Sequence, residues 1–395
     1  MNPTEKVTLT GNAPLGRSRL ATLDALRGLV MVVMVIDHVH YFFTSPTLTP
    51  LDVSNTTGGQ FATRWVTHFC APVFVLLAGL SAYVAGRGRS PREASVLLLT
   101  RGLWLVVLEL TVVRFGWLFN VNYRFTFVQV IWAIGWSMVA LALLSRLGAR
   151  VCLALGAAMI VGHDLLDGVT AARFGSAGWL WHVLHQPGRL QPLAGHRVYI
   201  AYPLVPWIGV MAAGFGLGPW MDRPIAERRR LLLRTGAALT AGFVLLRALN
   251  VYGDPHPWAT QPRAGFTALS FLDCTKYPPS LLYLLMTLGP AMLLWGALTG
   301  RDLTRARAVI VFGRVPLFYY VLHLPLLHAM AGVWLYAHGG VAAIEAAHRS
   351  RTGTGGSLAL VYATWATGVV LLWPLCRWFD GVKARHRGAW WTHYT

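Results

Sequence analysis

Charge is what this chain has least of. Asp, Glu, Lys and Arg make up 12% of its 395 residues, about half the share of a soluble domain, and the shortage excludes a soluble enzyme. Acidic residues are the scarcer kind, 15 against 34 Lys and Arg, for a net charge of +19. Such a balance can signal nucleic acid, but the basic residues fall in short clusters between apolar runs and form no stripe or tail, so no nucleic-acid partner is expected. Cysteine is limited to Cys70, Cys152, Cys274 and Cys376, with no CxxC or Cys/His spacing; neither a metal nor a redox framework is expected. The first 24 residues lack the apolar core and small-residue cleavage site of a signal peptide, so the first apolar run should stay as a true span. Also missing are a repeat of fixed period and any clear likeness between the two halves that would announce an inverted-repeat transporter.

Apolar length is what the chain has in quantity. Hydrophobic residues are 55% of it, and about ten runs are long enough for a helix to cross a ~30 Å hydrocarbon layer. They cover 25–43, 66–85, 96–113, 125–147, 151–166, 199–221, 231–249, 279–299, 315–336 and 358–379. The predicted fold is therefore all-α, a polytopic membrane bundle of about 10 transmembrane helices. Orientation follows from the basic clusters. With the amino terminus inside, the inner segments carry Lys6, Arg17 and Arg19; Arg87, Arg89 and Arg92; Arg146 and Arg150; Arg223, Arg228, Arg229, Arg230 and Arg234; Arg301, Arg305, Arg307 and Arg314; and Arg377, Lys383, Arg385 and Arg387. That is about two thirds of all Lys and Arg, so the positive-inside rule puts both termini in the cytoplasm. Residues 1–24 read as a cytoplasmic tail, 25–380 as one transmembrane domain and 381–395 as a second tail. The stretch RTGTGGS at 351–357 reads as a flexible connection, and 252–262, with three prolines, as an irregular outer loop.

Polar groups that survive inside apolar runs carry the functional information, because an ionisable side chain near the bilayer centre costs at least ~2.5 kcal/mol. In the first run Asp37 and His38 follow Arg27 by ten and eleven residues, roughly 15 Å along a helix. Glu109 in the third run lies at a similar depth and can meet His38. A histidine beside a carboxylate is the usual general base, the carboxylate fixing its tautomer. Asp37 projects about 100° away from His38 on the same helix, so the orienting carboxylate is equally Asp37 or Glu109. Tyr319, Tyr320 and His323 lie midway along the ninth run between Pro316 and Pro325, which loosen the helix. His68 stands at the mouth of the second run, where Pro72 deprives its carbonyl of a helical bond. Lys276 enters the eighth run beside Asp273, on the stiff Tyr277-Pro278-Pro279. His68, Lys276, Tyr319 and His323 are the candidate substrate-binding residues. Arg27, Arg101, Arg234 and Arg314 ring the inner ends, and because arginine forks bind phosphate oxygens in pairs, they are the candidates for holding a phosphate-bearing ligand.

These residues resemble a known family. Leu23-Asp24-Ala25-Leu26-Arg27-Gly28, followed by an apolar helix ending in Asp37-His38, is similar to the opening of the catalytic domain of the heparan-alpha-glucosaminide N-acetyltransferase family. Similar stretches follow at 69–79 (FCAPVFVLLAG), 100–110 (TRGLWLVVLEL), 276–290 and 312–323 (FGRVPLFYYVLH), and they resemble its bacterial branch. The wider class of membrane acyltransferases that modify carbohydrates has an Arg-Gly the same eleven residues before a histidine regarded there as catalytic, which His38 matches. The lysosomal member instead has asparagine at this position and its histidine in the following loop. Residues 44–63 contain no histidine, so that loop mechanism does not carry over.

The resemblance implies transfer of an acetyl or acyl group from cytoplasmic acetyl-CoA (acyl-CoA) to an amine or hydroxyl of a glycan or small-molecule acceptor on the outer side. The setting it implies is a multi-pass protein of a bacterial inner membrane. In that reading His38 takes the acceptor's proton with Asp37 and Glu109 as carboxylate partners, and the arginines hold the donor's phosphates. Tyr319, Lys276 or a helix-derived amide stabilises the oxyanion. The alternative is a proton-coupled transporter or binding module for a small polar solute, with Asp37, His38 and Glu109 as the relay. A homo-oligomer is compatible with either.

Overall fold

The computed structural model describes residues 17–44, 50–350, 353–386 and 388–394; residues 1–16, with Lys6, and Arg387 lie outside them. In chain order the helices are α1 (Arg17–Phe43), α2 (Gly58–Val66), α3 (Cys70–Gly86), α4 (Pro91–Leu108), α5 (Arg114–Leu118), α6 (Val130–Leu144), α7 (Ala149–Gly162), α8 (Gly178–Leu184), α9 (Leu204–Gly216), α10 (Ile225–Leu249), α11 (Phe266–Leu272), α12 (Leu281–Leu298), α13 (Arg307–Arg314), α14 (Pro316–Ser350) and α15 (Leu358–Arg385). Nine stretches of described helix are long and apolar enough to cross a membrane. α2 and α3 form one of them, as do α4 and α5. Beside these, α1 has 27 residues, about 40 Å at 1.5 Å per residue, and packs against α3, α13, α14 and α15. The protein is an all-α, multi-pass membrane bundle.

The ends of the bundle meet on one face. Arg314 reaches Asp24 at 3.8 Å and Asp380 at 3.3 Å, and Lys383 Nζ donates to the carbonyl of Arg314 at 3.3 Å. This tail face holds the start of α1, the joint between α13 and α14 and the end of α15; the opposite side is the loop face.

Several boundaries depart from the apolar runs, for reasons visible in the contacts. The run at 125–147 begins as a strand, β1 (Phe125–Val128), because Phe-Thr-Phe-Val alternates and finds a partner. β1 pairs in parallel with β3 (His196–Ile200), Phe125 opposite Arg197, and β3 pairs antiparallel with β2 (Gly188–Leu193). Residues 199 and 200 therefore belong to a sheet on the loop face, and Pro203 starts the next helix. α1 begins at Arg17, eight residues before its apolar run. α14 continues past Tyr336 to Ser350 with a break at Gly339 and Gly340. The described part of the 351–357 connection is not loose: Thr354 N–H donates to Phe42 O at 3.0 Å and Gly356 N–H to Phe43 O at 2.7 Å. They cap the last carbonyls of α1, which have no donor of their own in the helix. The proline-rich loop after α10 is held by Arg247, 1% exposed, which donates to the carbonyls of His256, Ser270, Phe271 and Asp273. Just after α11, burial and neighbouring Asp254 push the Asp273 carboxyl up to about 6.

One glycine pair sets the position of α1. A Cβ on Gly28 would lie 2.0 Å from Val309 O, and a Cβ on Gly313 would lie 1.9 Å from Asp24 O, so α1 and α13 approach backbone to backbone where only glycine fits. Arg27 locks the contact, donating to Gly313 O at 3.0 Å and to Ser81 Oγ at 2.9 Å. Gly313→Ala is therefore expected to destabilise the bundle by about 1–3 kcal/mol through overpacking. Gly332→Ala, whose Cβ would meet nothing within 4 Å, should be neutral. Thermal midpoints in detergent compare the two; equal midpoints would remove the close approach from the account.

Candidate functional site

α1 and α14 each lend one imidazole to the middle of the bundle. His38 and His323 are both buried, at 7% and 0% exposure, and their rings, 19° apart in plane with centres 4.8 Å apart, meet nitrogen to nitrogen, His38 Nδ1 2.5 Å from His323 Nε2. The protons on this pair can be assigned. His323 Nδ1 lies 3.3 Å from the carbonyl of Tyr319, one turn earlier, and a carbonyl only accepts, so Nδ1 of His323 carries its hydrogen. A neutral His323 then has its lone pair on Nε2. The facing Nδ1 of His38 must be the donor, which leaves the lone pair of His38 on Nε2, where no described residue bonds it. Two aromatic edges hold the ring: Trp117 of α5 at 5.0 Å and Tyr320 of α14 at 6.2 Å, both near perpendicular.

Each of those aromatics lines a different cavity. Trp117 forms part of a cavity of about 790 Å³ opening at the loop face. Its wall includes Tyr41, Phe42 and Tyr199 together with Arg124, Arg189 and Arg197, and the three-stranded sheet presents the last two of these arginines. Tyr320 lies in the wall of a second cavity, about 340 Å³, whose other lining includes Arg27, Ser81, Arg101, Arg314 and Lys383. This cavity belongs to the tail face. The stretch after α15 contributes Thr392 and Tyr394 to its wall, and Tyr394 Oη lies 3.0 Å from Thr100 Oγ1. His38 thus has an aromatic neighbour in each cavity.

The other sequence-predicted residues are distributed as follows. Asp37 is turned away from the imidazole pair and forms ion pairs with Arg64 and, at 3.7 Å, with Lys276. Lys276 is 7% exposed, and its burial pulls the ammonium below its usual range, with Arg64 adding repulsion. Glu109 is buried at the start of a widened π turn (Glu109–Val113) and accepts the Gln129 N–H at 2.8 Å. It caps the N-terminus of α6, whose exposed amides favour a carboxylate. Asp37, His38 and Glu109 therefore make no mutual bonds among the described residues. The carbonyl of His68, freed by Pro72, accepts the Tyr283 hydroxyl at 2.8 Å; both His68 ring nitrogens are buried without a partner among the described residues. Tyr319 stacks on His323 and packs against Phe312. Of the four arginines, Arg27, Arg101 and Arg314 share the tail-face cavity, while Arg234 is exposed on α10 and takes no part in it. No group of three or more His, Cys, Asp or Glu among the described residues is placed to hold a metal ion. Sequence reasoning missed Trp117, Tyr320 as a lining residue and the arginines of the sheet. The spacing of Tyr320 three residues before His323 was the only available signal.

The sequence profile of the family described as heparan-alpha-glucosaminide N-acetyltransferase, catalytic, matches residues 19–252, more than half of the chain. His38, Glu109 and Trp117 fall inside the match; Tyr320 and His323 lie beyond its end. A search of curated proteins finds no match.

The pairing of Asp37 with Lys276 can be measured. Lys276→Met and Asp37→Asn should each lower the thermal midpoint, the first by taking from Asp37 one of its two cations and the second by stranding the buried ammonium, and the double variant should recover part of the loss. A double-mutant cycle is expected to give a coupling of roughly 0.5–3 kcal/mol, and additive losses would mean the two charges act separately.

Proposed function

This chain belongs to the heparan-alpha-glucosaminide N-acetyltransferase catalytic family, and from that premise we propose that it moves an acetyl or acyl group from acyl-coenzyme A to an acceptor on the other side of a membrane. The observation that carries the reading is the position of the His38 ring between Trp117 of one cavity and Tyr320 of the other. The tail face, rich in arginine, is the cytoplasmic side in this reading, and the start of α1 and the end of α15 lie there. The donor enters from it: Arg27, Arg101, Arg314 and Lys383 bind its phosphates, and the narrow cavity takes the extended arm that ends in the thioester. The membrane is the inner membrane of a bacterium.

The acceptor, a sugar or glycan hydroxyl or amine, enters from the loop face. Tyr41, Trp117 and Tyr199 offer flat faces for sugar rings, and Arg124, Arg189 and Arg197 offer donors to their oxygens. His38 is the general base. The assigned tautomer supports this role, because Nε2 has the free lone pair and His323 steadies the imidazolium that forms. His323, as a positioning residue, replaces the carboxylate partner expected for His38. The relay of a proton-coupled transporter finds less support, since Asp37 and Glu109 are committed to other partners.

His38→Ala in nanodiscs should abolish transfer from labelled acetyl-coenzyme A to a panel of amino sugars and glycans while the protein stays folded; normal turnover would remove the histidine from the mechanism. Arg101→Ala should weaken coenzyme A binding roughly tenfold or more, the loss of one charge-assisted bond. Calorimetry that returns an unchanged affinity would leave that arginine a topological role only.

A further inference from the structure

The tail-face cavity contains a polar group that the reading above leaves unused. Tyr320 is 3% exposed, and its hydroxyl is buried with no hydrogen-bond partner among the described residues. Buried hydroxyls nearly always find a partner, and one that does not calls for an explanation at that place. The ring lies in the wall of the cavity that has Arg27, Arg101 and Arg314 on its lining. It also meets the edge of both imidazoles, His38 at 6.2 Å and His323 at 5.1 Å between ring centres. A donor without an acceptor is therefore held beside the proposed base, on a ring that walls the cavity assigned to the donor substrate.

We propose that the Tyr320 hydroxyl is the hydrogen-bond donor that receives the thioester oxygen as it becomes an anion. The inference rests on the acyl-transfer reading and adds a catalytic residue to it. The acceptor's lone pair forms a bond to the thioester carbonyl carbon while its proton passes to His38 Nε2. The π electrons of the carbonyl move onto its oxygen, which the Tyr320 O–H holds. The oxyanion then collapses and the carbon–sulfur bond breaks. The thiolate of coenzyme A leaves with the bonding pair and takes the proton back from His38, giving an ester or amide and a thiol. Donors aimed at the charge that develops in the transition state contribute more in a site without water than in solution.

The two other side chains considered for this task are placed less well. The Tyr319 hydroxyl is also buried and unpartnered, but its ring is sandwiched with Phe312 and His323 and is no part of the cavity wall. Lys276 is engaged with Asp37. The family profile ends well before residue 320, so the assignment comes from the cavity and the ring contacts alone.

The test is steady-state transfer by the full chain in nanodiscs, from labelled acetyl-coenzyme A to an amino-sugar panel, for wild type, Tyr320→Phe and His38→Ala. Tyr320→Phe should lower kcat by about 10²–10³-fold, the usual loss on removing one such donor, with KM for acetyl-coenzyme A and its binding affinity little changed. Turnover of Tyr320→Phe within threefold of wild type, with His38→Ala inactive, would overturn the tyrosine assignment and leave the acyl-transfer reading standing. A wild-type protein that neither binds acetyl-coenzyme A nor transfers from it would overturn both. If Tyr320→Phe fails to fold, 3,5-difluorotyrosine at position 320 keeps the shape and makes the phenol more acidic. As a stronger donor it should change kcat by about threefold or more with KM for acetyl-coenzyme A unmoved, and a kcat equal to that of wild type would refute the proposal.

Discussion

Two imidazoles that face each other in an apolar interior bond only if one gives a proton and the other a lone pair, and the middle of this protein is arranged around that condition. The carbonyl of Tyr319 fixes the hydrogen on His323, and His323 fixes the hydrogen on His38. The contact is sensitive to position, since a slip of one residue along α1 would swing His38 by about 100°. The rest of α1 resists such a slip. Near one end Gly28 and Gly313 bring α1 and α13 into backbone contact, with Arg27 reaching across to Gly313 O. At the other end Thr354 and Gly356 cap its final carbonyls.

The charges nearest the pair are kept out of it. Asp37 adjoins His38 in sequence and gives its carboxylate to Arg64 and to Lys276, a buried cation that costs free energy when unpaired. Glu109 is used at the N-terminus of α6. Had either carboxylate bonded the His38 ring, it would have raised the basicity of the imidazole and stabilised the imidazolium with a full buried charge. A second histidine orients the first at lower electrostatic cost, because a neutral ring asks nothing of the surrounding apolar wall beyond packing.

The apolar runs made the bundle legible, since a continuous apolar run of this length satisfies its own backbone groups in lipid only as a helix, and each of the ten runs has its long helix. Sequence could not reveal the sheet. Phe125–Val128 sits flush with an apolar run, and its partner lies some seventy residues on, in a polar segment whose pairing depends on what the bundle brings near. Among the site residues, Arg27, Arg101 and Arg314 were readable as a group because basic residues cluster at one end of the spans, whereas Arg234 has the same signature and faces outward. Depth along a helix was readable for His38, His323 and Glu109. Which of the three meet was not, because rotation about each helix axis is set by packing. The motifs at 23–28 and 312–314, separate in sequence, are the two sides of one contact: Arg27-Gly28 on α1 and Gly313-Arg314 at the end of α13.

Group transfer and transport differ in what has to cross the membrane. A carrier must let its whole solute pass, so its two sides join in alternation around a binding site. A transferase needs only the reacting atoms to meet, and it gains by keeping the rest apart, because water that reaches a thioester competes with the acceptor. Trp117, His38, His323 and Tyr320 form a tight cluster of rings with ring centres 4.8–6.2 Å apart, flanked by one cavity at Trp117 and the other at Tyr320. Such a cluster is poorly suited to passing a polar solute, whereas the edge of one imidazole can serve a nucleophile from one side and a carbonyl from the other. On this physical ground the ring cluster favours chemistry at the centre of the bundle over passage through it.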